Sequence, residues 1–297
     1  MQQSSAVDTL SQHGKSFRFA GIFLSKDQLH QAARLYQFCR WIDDIGDEAT
    51  DKAEARRELL AIKHGILSGT SKYPLLQDFL ELKHQLHMPD SQPIHLIDGV
   101  MSDMSDVAFT RVDELIQYAY RVAGVVGLMM CPILGAEKMG HVYAIDLGIG
   151  MQLTNIARDV REDALMGRRY LPAQWCDLTA EQIANDNTRP TQTQVKGAIS
   201  KLLELAEVYY ASARIGYRYL PKRSRRAISI AANVYRQIGI KIQQNDYAYL
   251  RGRTVVSKTS KILIALQTIV TPDNKKPLSH DDSLHRALNT IDFSRAK

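Results

Sequence analysis

The sequence predicts an all-α protein, and two observations carry that prediction. Apolar residues recur three and four positions apart in five separate stretches, which is the spacing of one helix face. Sustained alternation of apolar and polar residues, the pattern of a half-buried strand, does not occur. In addition, seventeen glycines and nine prolines among 297 residues leave room for long helices.

The five stretches follow one another along the chain as predicted helices. They cover residues 29–47, 115–135, 147–158, 202–209 and 227–238. The second contains the longest apolar run, residues 122–135, which is about six residues too short to span a membrane. That run also contains Pro132, so it is predicted to be a buried helix.

The breaks between these stretches are too short to be interdomain linkers. They fall at residues 68–69, 89–90, 134–135, 167–172 and 185–190. The sequence therefore predicts a single all-helical domain over residues 1–271. The remaining residues, 272–297, are polar and charged, and they are predicted to form a loosely attached tail.

Charge and cysteine content narrow the class of protein. The 38 Lys and Arg against 32 Asp and Glu give a net charge of +6. This excess favours anions such as phosphates, membrane surfaces or nucleic acid without choosing among them. Three widely spaced cysteines without a CxxC pair indicate neither a disulfide framework nor a cysteine zinc site. Residues 1–30 lack the apolar run of a signal peptide, so a cytoplasmic protein is expected.

Residues 36–48, YQFCRWIDDIGDE, form the first segment that indicates chemistry. Asp43 and Asp47 are four residues apart, so on a helix they share one face, ~6 Å apart along the axis. Two unpaired carboxylates so placed repel each other unless a cation lies between them, and hard oxygen ligands suit Mg²⁺. A solvated, acid-rich helix end is the alternative. The apolar and aromatic residues directly before the acids favour the magnesium site.

Residues 152–170, QLTNIARDVREDALMGRRY, repeat the pattern. Asn155, Asp159 and Asp163 recur every four residues, so their side-chain oxygens form one stripe on a helix. The sequence therefore offers a second set of oxygen ligands.

Basic side chains accompany this second stripe. Arg158 lies beside it, and Arg168 and Tyr170 follow the break at Gly167. Guanidinium groups can bind phosphate through two parallel hydrogen bonds. Pairing within the helix, for example between Arg158 and Glu162, is the alternative role.

The two acidic segments together are stronger evidence than either alone. Carboxylates that face each other across a helical bundle could hold two or three Mg²⁺ ions. Those ions would bind a diphosphate and stabilise it as a leaving group by neutralising its charge. The aliphatic helices around them would hold a hydrocarbon chain. This combination predicts prenyl chemistry that depends on ionisation.

Six segments, in order over residues 12–261, resemble the squalene/phytoene synthase family. This family comprises head-to-head prenyl transferases with the class I all-α terpenoid synthase fold. The segments are HGKSF (13–17), YQFCRWIDDIGD (36–47), YAYRVAGVVGLMM (118–130), QLTNIARDVREDALMGRRYLP (152–172), AANVYRQI (231–238) and NDYAYLRGRTVVSK (245–258). The fourth is the most specific. One departure is Arg161, where many members carry a small residue, and it lies off the acidic stripe.

The resemblance implies a role for each matching residue. The implied metal ligands are Asp43, Asp47, Asn155, Asp159 and Asp163. The implied diphosphate contacts are Ser16, Tyr36, Arg40, Arg158, Arg168, Tyr170, Tyr235 and Arg253. The implied catalytic residues are Tyr118, Gln152, Arg158 and Tyr235, and the hydrocarbon channel would contain Phe17, Gly21, Ala33, Val122 and Gly127. Close helix packing remains an alternative for Gly127, as does a core position for Tyr36 and Tyr235.

The resemblance also implies a two-stage reaction that uses Mg²⁺, with Mn²⁺ as a substitute. Loss of one diphosphate leaves an allylic cation, the double bond of a second prenyl diphosphate attacks it, and proton loss closes a cyclopropane. A second ionisation triggers rearrangement. The last cation then loses a proton, giving phytoene or dehydrosqualene, or accepts hydride from NADPH, giving squalene. An apolar cavity must keep water away from these cations.

Within the family, the segments VAGVVGLMM, QLTNIARDV and GRRYLP resemble bacterial phytoene synthases most. That resemblance implies two geranylgeranyl diphosphates as substrates and no NADPH. The small residues Gly21 and Ala33 agree, because bulky side chains there would shorten the hydrocarbon tunnel. The alternative is a squalene, presqualene-diphosphate or dehydrosqualene synthase that uses farnesyl diphosphate. Of these, squalene synthase would use NADPH.

A second class of function is a non-enzymatic helical protein that binds a membrane surface. Basic residues cluster at 222–226 and 251–261 without interleaved aromatic residues, so nucleic acid is not an expected partner. These clusters could face anionic lipid on the inner face of the membrane. An enzyme placed there could pass an insoluble product to a downstream desaturase. Asp103 and Asp106, three residues apart, are interpreted as surface acids.

Overall fold

The computed structural model describes residues 21–270 and 279–291, and it confirms the predicted all-α class. The helices are α1 (Lys26–Asp47), α2 (Lys52–Ser68), α3 (Pro74–Gln85), α4 (Ser91–Ser102), α5 (Val112–Ala119), α6 (Val125–Leu134), α7 (His141–Leu165), α8 (Ala180–Asn185), α9 (Arg189–Gly216), α10 (Lys222–Gln244) and α11 (Lys258–Val270). Short 3-10 helices cover Lys138–Gly140, Tyr217–Tyr219, Tyr249–Arg251 and Asp282–Thr290. No strand occurs within these two ranges, where Ala108 and Arg169 form an isolated bridge.

Helix α1 begins with a cap that its own sequence supplies. Ser25 Oγ accepts a hydrogen bond from the Gln28 backbone N–H at 3.1 Å. Gln28 Oε1 accepts one from the Ser25 backbone N–H at 3.2 Å, so two donors of the first turn are satisfied. Phe38 and Ile42 on its apolar face are fully buried. Because the helix continues to Asp47, the predicted acidic pair lies in its last two turns.

Most of the longest apolar run, residues 125–134, forms helix α6, and its first residues belong to the turn that joins α6 to α5. A π-helical turn, Tyr120–Gly124, joins the two helices. Helix α6 ends at Gly135, whose φ of 69° suits glycine. Residues 112–134 are long and apolar enough to cross a membrane, yet half of their most apolar window is buried inside the bundle.

Helix α7 lies at the centre of the bundle and packs against α6, α9 and α10. Glycines allow its close approach to the preceding helices. A Cβ on Gly148 would lie 2.3 Å from the Ala123 carbonyl oxygen, and one on Gly127 would lie 2.2 Å from the Ala144 carbonyl oxygen. The backbone of α7 is therefore in direct contact with those of α6 and the turn before it at these glycines. Gly127 has the close-packing role that the sequence left open as an alternative to its role in the channel.

Residues 279–291, the described part of the predicted tail, are attached to the bundle rather than loose. The 3-10 helix Asp282–Thr290 packs against α5, where Gln117 Nε2 donates to the Ala287 carbonyl at 2.9 Å. Leu288 is buried and belongs to the same hydrophobic cluster as α1 and α7. Residues 279–291 therefore pack against the bundle, with Ala287, Leu288 and Ile291 buried. Residues 271–278 and 292–297 lie outside the described residues.

Candidate active site

The two acidic segments line one cavity of about 210 Å³, which we call the acidic cavity. Its lining residues are Asp43, Gly46, Asp47, Val100, Asp103, Tyr118, Val122, Gln152, Asn155, Ile156, Asp159, Asp163, Arg168 and Tyr170. All five residues predicted as metal ligands are in this set, although they come from two helices far apart in sequence. The fold therefore brings the two acidic segments together.

The carboxylates of α1 are close enough to affect each other. Burial, and then the charge of Asp47, raise the pKa of Asp43 to about 7. Asp47 is more exposed, and its Oδ1 lies 3.0 Å from Arg168 Nη1. In the absence of a cation, the ionised form of Asp43 is therefore unfavourable.

Helix α7 presents the second set of oxygens to the same cavity. Burial, and then the charge of Asp159, raise the pKa of Asp163 to about 8. Asn155 Nδ2 donates to Gln152 Oε1 at 3.3 Å, but the buried Asn155 Oδ1 has no hydrogen-bond partner. Buried polar atoms without a partner are rare, and this one is a hard oxygen ligand.

Asp159 is paired with two arginines. Arg158 Nε and Nη2 donate to its two carboxylate oxygens at 2.7 and 2.5 Å, and Arg253 Nε lies 2.9 Å from Oδ1. Adjacent side chains do not face each other in a regular helix. The departure of Asp159 from helical backbone angles, with φ −107° and ψ 15°, accompanies this pairing. The suggested pairing of Arg158 with Glu162 is therefore replaced by a pairing with Asp159.

The interpretation of Asp103 as a surface acid is wrong, whereas Asp106 is exposed as expected. Asp103 lines the acidic cavity, and burial raises its pKa to about 6. Tyr118 Oη donates to Asp103 Oδ2 at 2.5 Å and lies 3.3 Å from Tyr170 Oη. One sequence signal could have found Asp103, because it directly follows the buried apolar helix α4.

A second cavity of about 370 Å³ adjoins the acidic cavity, and we call it the apolar cavity. Asp43, Val122, Gln152 and Asn155 line both cavities. Away from this shared end the lining is predominantly apolar, and it comes mainly from α1, α6, α7, α9 and α10. An anionic group bound in the acidic cavity through cations would therefore place an attached hydrocarbon chain in the apolar cavity.

Most of the predicted channel residues line this apolar cavity. Gly21, Val122 and Gly127 do so, together with Tyr36 and Tyr235 from the predicted polar contacts. Ala33 is fully buried and does not line the cavity, whereas its neighbour Ala32 does. Ser16 and Phe17 lie outside the described residues.

The other residues predicted to bind diphosphate or to act in catalysis differ in how close they lie to the acidic cavity. Tyr118, Gln152, Arg168 and Tyr170 line it directly. Arg158 and Arg253 reach it through Asp159. Arg40 lines neither cavity, and its Nη2 lies 2.5 Å from Asp44 Oδ1 on the next turn of α1.

The acidic cavity fits divalent cations with oxygen ligands. Asn155 Oδ1 has no partner, and Asp43 and Asp163 are buried carboxyl groups with raised pKa values. A separate group of ligand atoms lies elsewhere, at Asp146, His280 and His285, where the three atoms are within 4.8 Å of one another. Within residues 21–270 and 279–291, no other three acid, histidine or cysteine residues are grouped so closely. The carboxylates and the unpartnered amide oxygen of the acidic cavity are hard oxygen ligands of the kind that divalent cations such as Mg²⁺ prefer.

Comparisons with known proteins identify the family of the chain. The family model described as squalene/phytoene synthase matches residues 10–260. The 15-cis-phytoene synthase of Pantoea ananas is 36% identical over 286 residues, which cover 88% of this chain and 89% of that protein. The 15-cis-phytoene synthase of a Paracoccus species is 33% identical over 270 residues, which cover 86% and 87%.

Solved structures share the fold. A dehydrosqualene synthase in complex with a ligand matches with a TM-score of 0.77 and 26% identity, over 89% of this chain and 94% of that one. A squalene synthase from Alicyclobacillus acidocaldarius matches with a TM-score of 0.70 and 19% identity, over 82% and 94%. From the family match over most of its length and from these relatives, the chain belongs to the squalene/phytoene synthase family.

Proposed function

We propose that the protein is a phytoene synthase that joins two geranylgeranyl diphosphates head to head. The observation that carries this proposal is the direct connection between a carboxylate-lined cavity and a long apolar one. Four relatives named phytoene synthase, with identities between 32% and 36%, support this choice within the family.

The reaction breaks two carbon–oxygen bonds, and each bond's electron pair leaves with a diphosphate. The first cleavage gives an allylic cation, which the double bond of the second substrate attacks, and loss of a proton closes a cyclopropane ring. The second cleavage allows rearrangement to the final carbon skeleton. Loss of a further proton completes phytoene, so no reductant enters the balance.

Asp43, Asp47, Asn155, Asp159 and Asp163 would hold the magnesium ions. When bound, Mg²⁺ neutralises the charge that develops on each departing diphosphate. Mn²⁺ suits the same carboxylate and carbonyl oxygens and would substitute for it. The unpartnered Asn155 Oδ1 and the raised pKa values of Asp43 and Asp163 support this assignment.

The arginines around the acids would bind the diphosphate oxygens directly. Arg158 and Arg253 share Asp159, and Arg168 is paired with Asp47. A diphosphate that enters the cavity carries more negative charge than the aspartates with which these guanidinium groups are paired. The arginines would then turn to the phosphate oxygens, and Asp47 and Asp159 would be free to hold cations.

Tyr118 would stand near the reacting carbons as a fixed neutral group. Burial raises the pKa of Tyr118 well above its usual value, so its hydroxyl stays protonated. Its hydrogen bond to Asp103 and its ring stacking on Tyr170, with centroids 5.0 Å apart, hold the ring in place. The electron-rich face of such a ring can stabilise a nearby carbocation.

The released diphosphate would itself accept the protons that the cations lose. Among the residues that the structure describes, no histidine lines either cavity. The diphosphate would remain beside the cation at the acidic end of the apolar cavity. The diphosphate oxygens would then be the basic atoms nearest to the cation, and they carry enough negative charge to accept its proton.

A second candidate is condensation of two farnesyl diphosphates, because a dehydrosqualene synthase shares 26% identity and a TM-score of 0.77 with this chain. The shorter substrate would leave the far end of the apolar cavity empty. With NADPH as hydride donor, this route would give squalene.

The test is to identify the hydrocarbon made by the purified protein. Farnesyl or geranylgeranyl diphosphate is supplied with Mg²⁺, with and without NADPH. Phytoene from the longer substrate, made equally without NADPH, is expected. Squalene formed only when NADPH is present, or dehydrosqualene as the main product in competition, would contradict the proposal.

We also propose a cytoplasmic protein that touches the inner face of the membrane and passes its product to a desaturase. Helix α11 buries Ala265 against Ile230 and exposes Leu263 and Leu266. The exposed basic residues of the 222–226 cluster at the start of α10, which packs against α11, would face anionic lipid. Co-sedimentation with anionic vesicles should fall for Leu263→Glu, and equal sedimentation with neutral vesicles would contradict the proposal.

A further inference from the structure

The end of the apolar cavity farthest from the acids contains an aromatic ring, that of Tyr143. Along α7 the cavity lining runs from Asn155 back to Tyr143, and Gly140, just before the helix, lines it as well. Tyr143 lies ~18 Å from Asn155 along the helix axis, at 1.5 Å per residue. Between them the α7 wall is lined by Ala144, Leu147, Gly148, Met151 and Gln152, none of which is aromatic, so Tyr143 is the first aromatic ring that a chain would meet on α7.

Tyr143 separates the apolar cavity from the C-terminal residues 279–291, which we call the strap. Its ring makes an edge contact with His280, with centroids 5.3 Å apart, and stacks on Tyr219 at 5.8 Å. No residue of the strap lines the cavity itself. On α9, Gly216 permits this position, because a Cβ there would lie 2.2 Å from Tyr143 Cβ.

The strap is held one turn further along α7, at the fully buried Asp146. His285 Nε2 lies 2.8 Å from Asp146 Oδ1, and His280 Nε2 lies 3.1 Å from Oδ2. Ser212 Oγ donates to Oδ2 at 2.5 Å. A buried carboxylate is costly unless it is hydrogen-bonded, and these groups supply its partners. We call Asp146, His280 and His285 the clamp.

The clamp orients His280 through both ring nitrogens. Its Nδ1 lies 3.0 Å from Asp282 Oδ1, while Nε2 faces Asp146. With a carboxylate at each nitrogen, the ring satisfies both contacts as a doubly protonated imidazolium. Its plane is thereby fixed, and so is the edge contact with Tyr143.

Further contacts anchor the strap away from the clamp. Tyr209 Oη donates to the Leu284 carbonyl at 2.9 Å, and Gln117 Nε2 donates to Thr290 Oγ1 at 2.9 Å. Leu288 and Ile291 are buried. The strap is therefore a fixed outer wall behind Tyr143.

We propose that Tyr143 limits the length of the prenyl chain that the apolar cavity accepts, and that the strap fixes Tyr143 through the clamp. Tyr143 then determines specificity, and His280 and His285 are positioning residues. This inference rests on the proposed function, since it concerns the substrate of that reaction. A substrate with one more isoprene unit would collide with the Tyr143 ring.

The test is competition between twenty-carbon and twenty-five-carbon prenyl diphosphates. For Tyr143→Ala, the ratio of kcat/KM for the longer to the shorter substrate should rise at least ~10-fold, the lower end of what one methylene contributes in an apolar pocket. Tyr143→Leu removes the ring but keeps apolar bulk, and it should shift the ratio in the same direction if the alanine variant fails to fold. The control is Tyr210→Phe, at a buried tyrosine that lines neither cavity, which should leave the ratio unchanged.

His280→Ala and His285→Ala test the clamp. Each should raise the same ratio by a smaller factor, because Tyr143 would lose its support. A merely structural role would lower turnover of both substrates in proportion and leave the ratio unchanged. That outcome would overturn the role of the strap.

The unaltered protein is assayed first, with the fifteen-carbon and twenty-carbon substrates. No hydrocarbon from either would contradict the proposed function and this inference together. An active protein whose preference is unaffected by both Tyr143→Ala and Tyr143→Leu would contradict this inference alone.

Discussion

Arg168 Nη1 lies 3.0 Å from Asp47 Oδ1, and this ion pair joins the loop after α7 to the last residue of α1. Both residues line the acidic cavity. The Arg168 side chain is 17% exposed, whereas Asp47 is 53% exposed, so the arginine is the better-fixed partner. We therefore expect Arg168 to bind substrate phosphate when Asp47 holds a cation.

The first prediction concerns Arg168. Arg168→Lys keeps the charge but loses the planar fork, and we expect kcat/KM to fall ~10-fold. Arg168→Gln removes the charge as well and should cost ~100-fold, since hydrogen bonds to charged groups contribute about 1.5–3 kcal/mol. Steady-state kinetics measure both. The control is Arg111→Gln, in the exposed pair with Asp113, and equal effects at the two sites would contradict the assignment.

The second prediction is a pH dependence of stability. Asp43 and Asp163 have folded-state pKa values of about 7 and about 8, above their usual 3.8. Between pH 4 and pH 8 the folded, metal-free protein thus retains protons that the unfolded chain has lost, so its stability falls as pH rises. Cation binding favours the ionised carboxylates.

Thermal unfolding measures this effect. The rise in Tm caused by Mg²⁺, relative to EDTA, should grow from pH 6 to pH 8. Asp163→Asn should reduce that growth. A magnesium effect of the same size at every pH would count against the involvement of these carboxyl groups.

The third prediction separates two acids that are three residues apart. Asp103 accepts the Tyr118 hydrogen bond inside the acidic cavity, whereas Asp106 is exposed. Asp103→Asn should lower kcat ~10- to 100-fold by loosening Tyr118, the cost of a hydrogen bond to a charged group. Asp106→Asn should leave kcat unchanged. If Asp103→Asn and Tyr118→Phe were additive in the double variant, the proposed coupling would be disproved.

The fourth prediction concerns packing. Gly127→Ala would place a Cβ 2.2 Å from the Ala144 carbonyl oxygen, so α6 and α7 must separate. We expect a loss of ~1–3 kcal/mol in the free energy of unfolding, as for other overpacked sites. Gly197→Ala on α9 is the matched control, because its Cβ meets nothing within 4 Å and should stabilise the helix by ~0.5–1 kcal/mol. Chemical denaturation compares them, and equal stability of the two variants would refute the close contact.

The fold class and the two acidic stripes could be predicted from the sequence because both depend on residues three or four positions apart on the same helix. Asn155, Asp159 and Asp163 share a face simply because they are four residues apart. The choice between Ala32 and Ala33 as cavity wall could not be made in the same way. One residue rotates a side chain by about 100° around a helix, and only the packing of the neighbouring helices decides which one faces the cavity.

The parts that sequence reasoning missed depend on contacts between distant segments. Asp103 belongs to the site because α4 packs against the π-helical turn that follows Tyr118, which brings Asp103 within hydrogen-bond distance of Tyr118. The strap is attached to the bundle because His280 and His285 meet Asp146, which precedes them by more than a hundred residues. The polar composition near the end of the chain predicts a loose tail. That composition cannot indicate that Asp146, far away in the sequence, is a buried carboxylate whose hydrogen-bond partners come from this segment.

The most direct test of the central claim is the rate of diphosphate release from geranylgeranyl diphosphate by Asp163→Asn, compared with the unaltered protein in Mg²⁺. Asparagine keeps the size of the side chain but cannot offer a carboxylate to a cation. We predict a fall of at least ~10³-fold, comparable to the several kcal/mol that metal ions contribute to such steps, with helical circular dichroism unchanged. Release at the normal rate by this variant, or by the unaltered protein in EDTA, would contradict the account.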